Sequence, residues 1–370
     1  MASLVRSFDR LADVEVQLCM QFCPLPALLQ LARCSRRLHS QADSPFAFKH
    51  APPRVLICSP TNPPVGLESL LRHVPMTLKP SVVWTDLDRM VALLPARFHG
   101  LDVLNMRLSY DGCARFLSLP SVQSIVSLQM DRAPAGWFSS ESVAAVARLP
   151  LLQSLSMRGD DATSEESLRM LTASPTLTSL SFNDSNFTPS GRLRSLAEAP
   201  SLKHLSVYRP FIYSTDWVAS FGSPGLSRLQ SLEFDWCIFS GPQNCRPIDP
   251  DHAEDVFTSL SSLTSLHLKM PFGIDRLLPS LVHARSLRSL RIEANCSVYD
   301  ASAHRTLPSF EILLPLLISK SELRISIDLR DHTSSLRDDY VPKLSTAFAQ
   351  VDAAVRSRVS VLYAKPLWQH

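Results

Sequence analysis

The chain has 370 residues, a formal net charge of +3 and 45% hydrophobic residues. That length allows one main domain plus a small second one, and the hydrophobic content is ample for a packed core. With near-neutral charge and no long Lys/Arg run, a nucleic-acid-binding surface is excluded as an expectation.

The first stretch, MASLVRSFDRLADVEV, lacks the apolar run of a signal peptide, and residues 1–10 are polar enough to fray. Leu11, Val14, Val16, Leu18, Cys19, Met20 and Phe22 then lead into Pro24-Leu25-Pro26, followed by Leu28, Leu29, Leu31, Ala32 and Cys34. Mixed three- and four-residue spacing broken by prolines predicts two or three short helices over residues 11–50.

This segment resembles an F-box. Leu11-Ala12-Asp13-Val14 stands where the family opens with Leu-Pro-Asp-Glu, and Phe22-Cys23-Pro24 where it has Phe-Leu-Pro. Arg33-Cys34-Ser35-Arg36 closes the leucine-rich helix, and Ser44-Pro45-Phe46-Ala47-Phe48 takes the place of the terminal Asp-Pro-x-x-Trp. Three positions depart from the pattern: Ala12 for proline, the acid displaced to Glu15, and Phe48 for tryptophan. The same helices are also readable as a cap over the first repeat of the domain that follows.

Residues 51–100 read as a linker and degenerate repeats. Pro52-Pro53 is stiff, Val55 to Cys58 is strand-like, Leu67 to Val74 is helical in pattern, and Val82-Val83-Trp84 is strand-like again. Thr85 or Asp86 caps a helix expected to run through Leu94.

From Leu101 to Asn295 one phrase recurs: apolar, two variable, apolar, one variable, apolar. It reads Leu101-Leu104-Met106, Ile125-Leu128-Met130, Leu152-Leu155-Met157, Leu177-Leu180-Phe182, Leu202-Leu205-Val207, Leu229-Leu232-Phe234, Leu263-Leu266-Leu268 and Leu287-Leu290-Ile292. Successive first positions differ by 24, 27, 25, 25, 27, 34 and 24 residues. In the second phrase Val122 competes with Ile125 for the first position. The last two apolar residues of a phrase lie on one side of a strand, and the return segment brings the chain back beside it. Pro150, Pro175 and Pro200 each stand two residues before a phrase and end the return.

The phrase and its step resemble leucine-rich repeats over about half the chain. The fold class expected is therefore α/β: a leucine-rich repeat solenoid with parallel strands on the concave side and helices or irregular segments on the convex side, preceded by a small all-α F-box-like domain. Thr163 with Glu166 reads as a capping box, Asp249-Pro250 as a helix start, and Glu141 to Leu149 and Ile274 to Val282 as helices. An insertion, Cys237 to Asp251, fills the 34-residue step. Regular repeats span 101–300, and residues 301–370 form C-terminal repeats and a cap. There Leu307 to Ile318 reads as a helix, Leu323 to Leu329 as a strand, Tyr340 to Val355 as an amphipathic helix and Val359 to Val361 as a last strand.

Residues between the strand leucines should line the concave face in three columns. The first is Val103, Ser127, Ser154, Ser179, His204, Ser231, Ser265 and Ser289. The second is Asn105, Gln129, Ser156, Ser181, Ser206, Glu233, His267 and Arg291. The third is Arg107, Asp131, Arg158, Asn183, Tyr208, Asp235, Lys269 and Glu293. The serine column suits either a partner needing room or simply a hydrated sheet edge. Mixed charge in the third column favours a polar protein partner. Aromatics cluster after two adjacent strands: Tyr208, Phe211, Tyr213, Trp217, Trp236 and Phe239. They suit an interface hot spot or packing under loops, with Tyr208 and Trp236 the expected exposed pair. The residues expected to touch a substrate are Arg158, Tyr208, Asp235, Trp236, His267, Lys269, Arg291 and Glu293.

Neither a phosphate loop, nor Gly-x-Ser-x-Gly, nor His-Glu-x-x-His occurs, so no enzyme is expected. Cys237, Cys245 and His252 match no zinc spacing, and neither metal nor cofactor is expected. The eight cysteines show no disulfide framework, which fits free thiols in the cytoplasm and/or nucleus. The longest strongly apolar run, Ile312 to Ile318, is too short for a membrane span of roughly 20 residues.

The combined resemblance implies a substrate-recognition subunit of a Skp–cullin–F-box ubiquitin ligase. Leu11, Val16, Met20, Pro24, Leu28, Leu31 and Phe48 would supply apolar contact to a Skp-type adaptor bound to the cullin ligase core. The repeats would hold an unidentified protein substrate, with the chain a monomer within the hetero-complex. A repeat scaffold unconnected with ubiquitin is the alternative.

Overall fold

The protein is described from a computed structural model, over residues 54–58, 76–80, 83, 85–88, 98–104, 106–130, 133, 135–158, 165–183, 196, 199–208, 224–235, 250–269, 277–293, 308–329 and 334–362. The chain divides into two compact units, Met1–Leu155 and Ser156–His370.

In the first unit β1 (Arg54–Cys58) pairs in parallel with β2 (Met76–Pro80), β2 with β3 (Gly100–Asp102), and β3 with β4 (Ser127–Met130). Leu56, Leu78, Leu101 and Leu128 fall in one row of that register. Two short helices return the chain: α1 (Tyr110–Leu117) and α2 (Ser140–Ala147). Each begins at a serine whose hydroxyl accepts an amide N–H, Ser109 from Gly112 and Ser139 from Ser142. Cys113, Phe116 and Leu117 on α1 and Val143 and Val146 on α2 are buried. Burial pushes the free Cys113 thiol up to about 12, which makes it an inert packing residue. Trp137, on a 3₁₀ turn at Ala135–Phe138, is the largest fully buried side chain among the described residues. Its ring meets Phe116 edge-on at 5.8 Å, and its indole N–H donates to the Met106 carbonyl at 2.8 Å.

The division between units falls within β5 (Ser154–Arg158). In the second unit β6 (Ser179–Asn183), β7 (His204–Tyr208), β8 (Ser231–Asp235), β9 (Ser265–Lys269), β10 (Ser289–Glu293), β11 (Arg324–Asp328) and β12 (Val359–Leu362) pair in parallel in chain order. In one row across the seven strands, Leu180, Leu205, Leu232, Leu266, Leu290, Ile325 and Val359 are in register, and all but Val359 are buried. The helices are α3 (Glu165–Thr172), α4 (Pro250–Ser259), α5 (Phe310–Ser319), α6 (Ser334–Ala349) and α7 (Ala353–Arg356). Phe310 and Phe348 close α5 on α6 edge-on at 4.8 Å.

Side chains at the helix-to-strand corners tie neighbouring repeats together. Ser201 donates to the Pro175 carbonyl at 2.7 Å, Arg228 to that of Pro200 at 2.8 Å, and Thr264 to that of Gln230 at 3.0 Å. Arg358 donates to the carbonyls of Leu317, Lys320 and Ser321. The Gln230 carbonyl also accepts the Thr264 and Ser265 N–H groups, so side-chain and backbone donors from the next repeat converge on these corners.

The repeat phrases from Ile125 onward fall where the spacing places them, and Ile125 rather than Val122 holds the first position of its phrase, although both are buried. The first phrase is shifted. Leu101 pairs with Leu128, the middle position, so the phrase is Phe98-Leu101-Val103, all buried, and not Leu101-Leu104-Met106. Val103 therefore faces inward, and Gly100 and Asp102 take its place and that of Asn105 in the columns. Asp102 caps the turn that follows, accepting the Leu104 N–H at 3.0 Å, which ends the strand early.

Three further readings change. The strand expected at Val82-Val83-Trp84 is β2 at Met76–Pro80, the segment whose register continues the leucine row, and Val83 is exposed outside any strand. Of the helix expected at Ile274 to Val282, residues 274–276 lie outside the described residues, Leu277 is helical, and Leu278–His283 is a 3₁₀ helix. Its rise of about 2.0 Å per residue lets six residues span what eight cover at about 1.5 Å in an α-helix. The helix expected over Tyr340 to Val355 is two, because Asp352 accepts the Ala354 N–H at 2.7 Å and starts α7 afresh. The sequence reading passed over α1 and the Trp137 turn altogether. Thr163, Asp249, the helix at Leu67 to Val74 and residues 1–53 lie outside the described residues.

Candidate protein-interaction face

On the second unit the residues between the buried strand positions form three rows along one face. One row runs Ser179, His204, Ser231, Ser265, Ser289 and Arg324. The next runs Ser181, Ser206, Glu233, His267, Arg291, Ser326 and Ser360. The last runs Asn183, Tyr208, Asp235, Lys269, Glu293, Asp328 and Leu362.

The second and third rows are stitched into one polar ladder across five strands. On β7, the Ser206 and Tyr208 hydroxyls both donate to Glu233 Oε2, at 3.0 and 3.1 Å. Glu233 Oε1 on β8 meets His267 Nδ1 on β9 at 2.7 Å. His267 Nε2 lies 3.4 Å from Glu293 Oε2 on β10, close enough for attraction but making no hydrogen bond. Glu293 also takes Lys269 Nζ at 3.2 Å. Arg291 reaches Glu293 at 3.7 Å and Asp328 Oδ2 on β11 at 2.7 Å. Adjacent parallel strands carry these residues directly opposite one another, about 5 Å apart, so opposite charges in neighbouring rows are brought into contact by register alone.

Burial sorts the ladder. Asp328 is only 2% exposed and Glu293 14%, so they act from beneath. Arg291 is 40% exposed and is the group most open to a partner. Charge that is buried and paired holds side chains in one geometry, which favours recognition of shape and donor pattern over steering at long range.

Hydrogen bonding from His267 holds the Glu233 carboxyl below the usual carboxylate range; burial opposes this, and the His267 charge and the Ser206 and Tyr208 hydroxyls add to it. A carboxyl whose folded value is depressed stabilises the fold above the unfolded value, and that stability is lost as pH falls through the folded one. Glu233→Gln should therefore flatten the acid side of the stability profile: its urea midpoint should fall less than that of the native chain as pH drops from neutral to the carboxylate range. Parallel profiles for the two proteins would rule out this role.

Of the residues expected to touch a partner, the face brings together Tyr208, His267, Lys269, Arg291 and Glu293. Tyr208 is half-buried and its hydroxyl is engaged by Glu233, so it is a member of the ladder and not an exposed aromatic anchor. Asp235 ends β8 in the third row between Tyr208 and Lys269, and Arg158 ends β5. Trp236, Phe211, Tyr213, Trp217, Phe239 and most of the insertion lie outside the described residues, as do all seven expected adaptor contacts. Ser206, Glu233 and Asp328 were missed as site residues. Ser206 and Glu233 stand in the second column, and their signal was position, Ser206 opposite Glu233 and Glu233 opposite His267; Asp328 continues the third column beyond the last regular phrase.

No family model matches the sequence, and no curated protein matches it. Among solved structures it is similar to the Rad7–Elc1 complex of yeast, at 15% identity over 64% of this chain and 76% of that one, with a TM-score of 0.30. It is similar to internalin C2 of Listeria monocytogenes, at 15% identity over 71% of this chain and 92% of that one, TM-score 0.34. It is also similar to the structure of TLR13 with ssRNA13, at 16% identity over 75% of this chain and 39% of that one, TM-score 0.39. The stacked parallel strands, the recurring leucine phrase and the short returns are those of an α/β leucine-rich repeat fold. Among the described residues no helix is long and apolar enough to cross a membrane.

Proposed function

We propose that the chain is the substrate-recognition subunit of a Skp–cullin–F-box ubiquitin ligase, and that it performs no chemistry itself. The observation that carries the binding half is the ladder from Ser206 to Asp328: five strands present donors and acceptors in fixed positions on one face. The adaptor half rests on the resemblance of residues 11–50 to an F-box. Joining the two would hold a protein substrate near the ubiquitin-charged enzyme and raise its effective concentration. A Skp-type adaptor and the cullin core are the partners expected, in the cytoplasm and/or nucleus.

The test is co-expression of the full chain with a Skp-type adaptor, followed by size-exclusion chromatography. A one-to-one complex is expected. A folded chain that elutes alone would return the N-terminal segment to the role of a cap and leave a repeat scaffold outside ubiquitin transfer.

The two halves should separate genetically. Glu233→Ala with His267→Ala removes the centre of the ladder: the Ser206 and Tyr208 hydroxyls lose Glu233 as acceptor, and Glu293 loses its His267 neighbour while keeping Lys269 and Arg291. It should weaken a substrate identified by pull-down with the native chain about tenfold or more while the adaptor complex persists. Normal substrate capture by the folded variant would place the binding surface elsewhere.

A further inference from the structure

The helix-to-strand corners before β9, β10 and β11 enclose an open groove of ≈ 570 Å³ that shares no residue with the ladder. Its lining includes Arg285, Arg288 and Lys320 against a single carboxylate, Glu322. We infer that this groove is a second binding site, which takes a short acidic peptide segment of a protein partner.

Unused donors point to an anion. Arg285 is exposed and has no hydrogen-bond or ion-pair partner among the described residues. A guanidinium carries five N–H donors in a planar fork that matches a carboxylate or phosphate. The Lys320 ammonium is fixed by the Ala284 carbonyl at 2.7 Å, which engages one of its three N–H groups and leaves two for a ligand. Burial holds its pKa below the ordinary lysine value, the cost an incoming anion would relieve. Arg288 reaches Glu322 at 3.3 Å, with both side chains about 70% exposed, so that pair is weak and easily exchanged.

Two features select a peptide. Val282, 42% exposed on the groove wall, gives an apolar side chain a surface to cover. No aromatic residue lines the groove for base stacking, and Glu322 repels an unbroken polyanion, so a nucleic acid strand is disfavoured. The volume lies within the roughly 300–1,000 Å³ of ligand-sized clefts. The groove stands whether or not the N-terminal segment docks an adaptor.

The probe is a set of fluorescein-labelled pools of nine-residue peptides, with mixed Asp, Glu, Leu and Val around a fixed central glutamate, phosphoserine or serine. A matching pool has Lys in place of Asp and Glu. Anisotropy with the full chain should show the acidic pools binding and the lysine pool not. Arg285→Glu should weaken that binding about tenfold or more, Glu322→Gln should strengthen it, and His267→Ala should leave it unchanged. The last arm separates this groove from the ladder face. Tighter binding of the phosphoserine pool would assign the anion to a phosphorylated partner; equal binding of the glutamate pool would assign it to carboxylates. Acidic pools that bind no better than the lysine pool, or that bind Arg285→Glu as they bind the native chain, would overturn the inference.

Discussion

Trp137→Ala should lower the stability of the first unit by about 3–5 kcal/mol, the cost of emptying a fully buried aromatic site. Three interactions fail at once. The ring leaves a cavity that short flanking elements cannot close, Phe116 loses its edge contact, and the Met106 carbonyl loses its 2.8 Å donor. Trp137→Phe keeps a ring near Phe116 but not the N–H, so it should cost about 1–3 kcal/mol, the penalty of an unsatisfied buried carbonyl together with lost volume. Urea unfolding followed by circular dichroism measures both. Hydrogen exchange localises the effect, because amides of α1 and α2 should lose protection while those of β9 to β11 keep theirs. Unfolding of Trp137→Ala that superimposes on the native curve would show that the turn is peripheral to the core.

That tryptophan also marks where the sequence stops being legible. A leucine phrase announces itself because the same three positions must be apolar in every repeat if the stack is to bury its rows. Trp137 plugs one return only, has no counterpart in the neighbouring repeats, and so carries no periodic signal. The first phrase failed for a related reason. Leu104 and Met106 mimic the spacing, and only the pairing of Leu101 with Leu128 shows that Phe98 leads the phrase. The return segments were legible where a cap or helical apolar spacing stood out, as at Pro250 and over Glu141 to Leu149, and illegible where a serine capped a short helix in a serine-rich chain, as at Ser109.

The ladder was half legible. Column positions picked out His267, Lys269, Arg291 and Glu293, because side chains between buried strand residues must face away from the core. What columns cannot show is which neighbours satisfy one another. Glu233 becomes the hub only when the register sets it between Ser206 and His267. The groove was invisible for a different reason. Arg285 and Lys320 lie before a strand and Arg288 fills a variable position inside its phrase, where the repeat pattern places no demand on side-chain type. Only the stacking of three corners brings them together.

Leu28→Arg with Leu31→Arg should abolish co-elution of the full chain with a Skp-type adaptor. The pair is three residues apart in a helical pattern, so both side chains share a face. Each leucine buried in an interface contributes about 1.5–3 kcal/mol. A complex with a micromolar dissociation constant rests on about 8 kcal/mol. Losing both leucines removes a large part of that, and desolvating two unpaired guanidinium groups removes more. Leu31→Ala alone should weaken the complex about ten- to a hundredfold, which distinguishes a contact from a global defect. The cap alternative predicts a different pattern from the same variant. Arginines in a segment that shields the first repeat would leave adaptor behaviour unchanged and loosen the fold beneath, seen as faster hydrogen exchange in β1 to β3. Adaptor loss with β1 to β3 protected as in the native chain supports the ligase subunit; the reverse supports the cap.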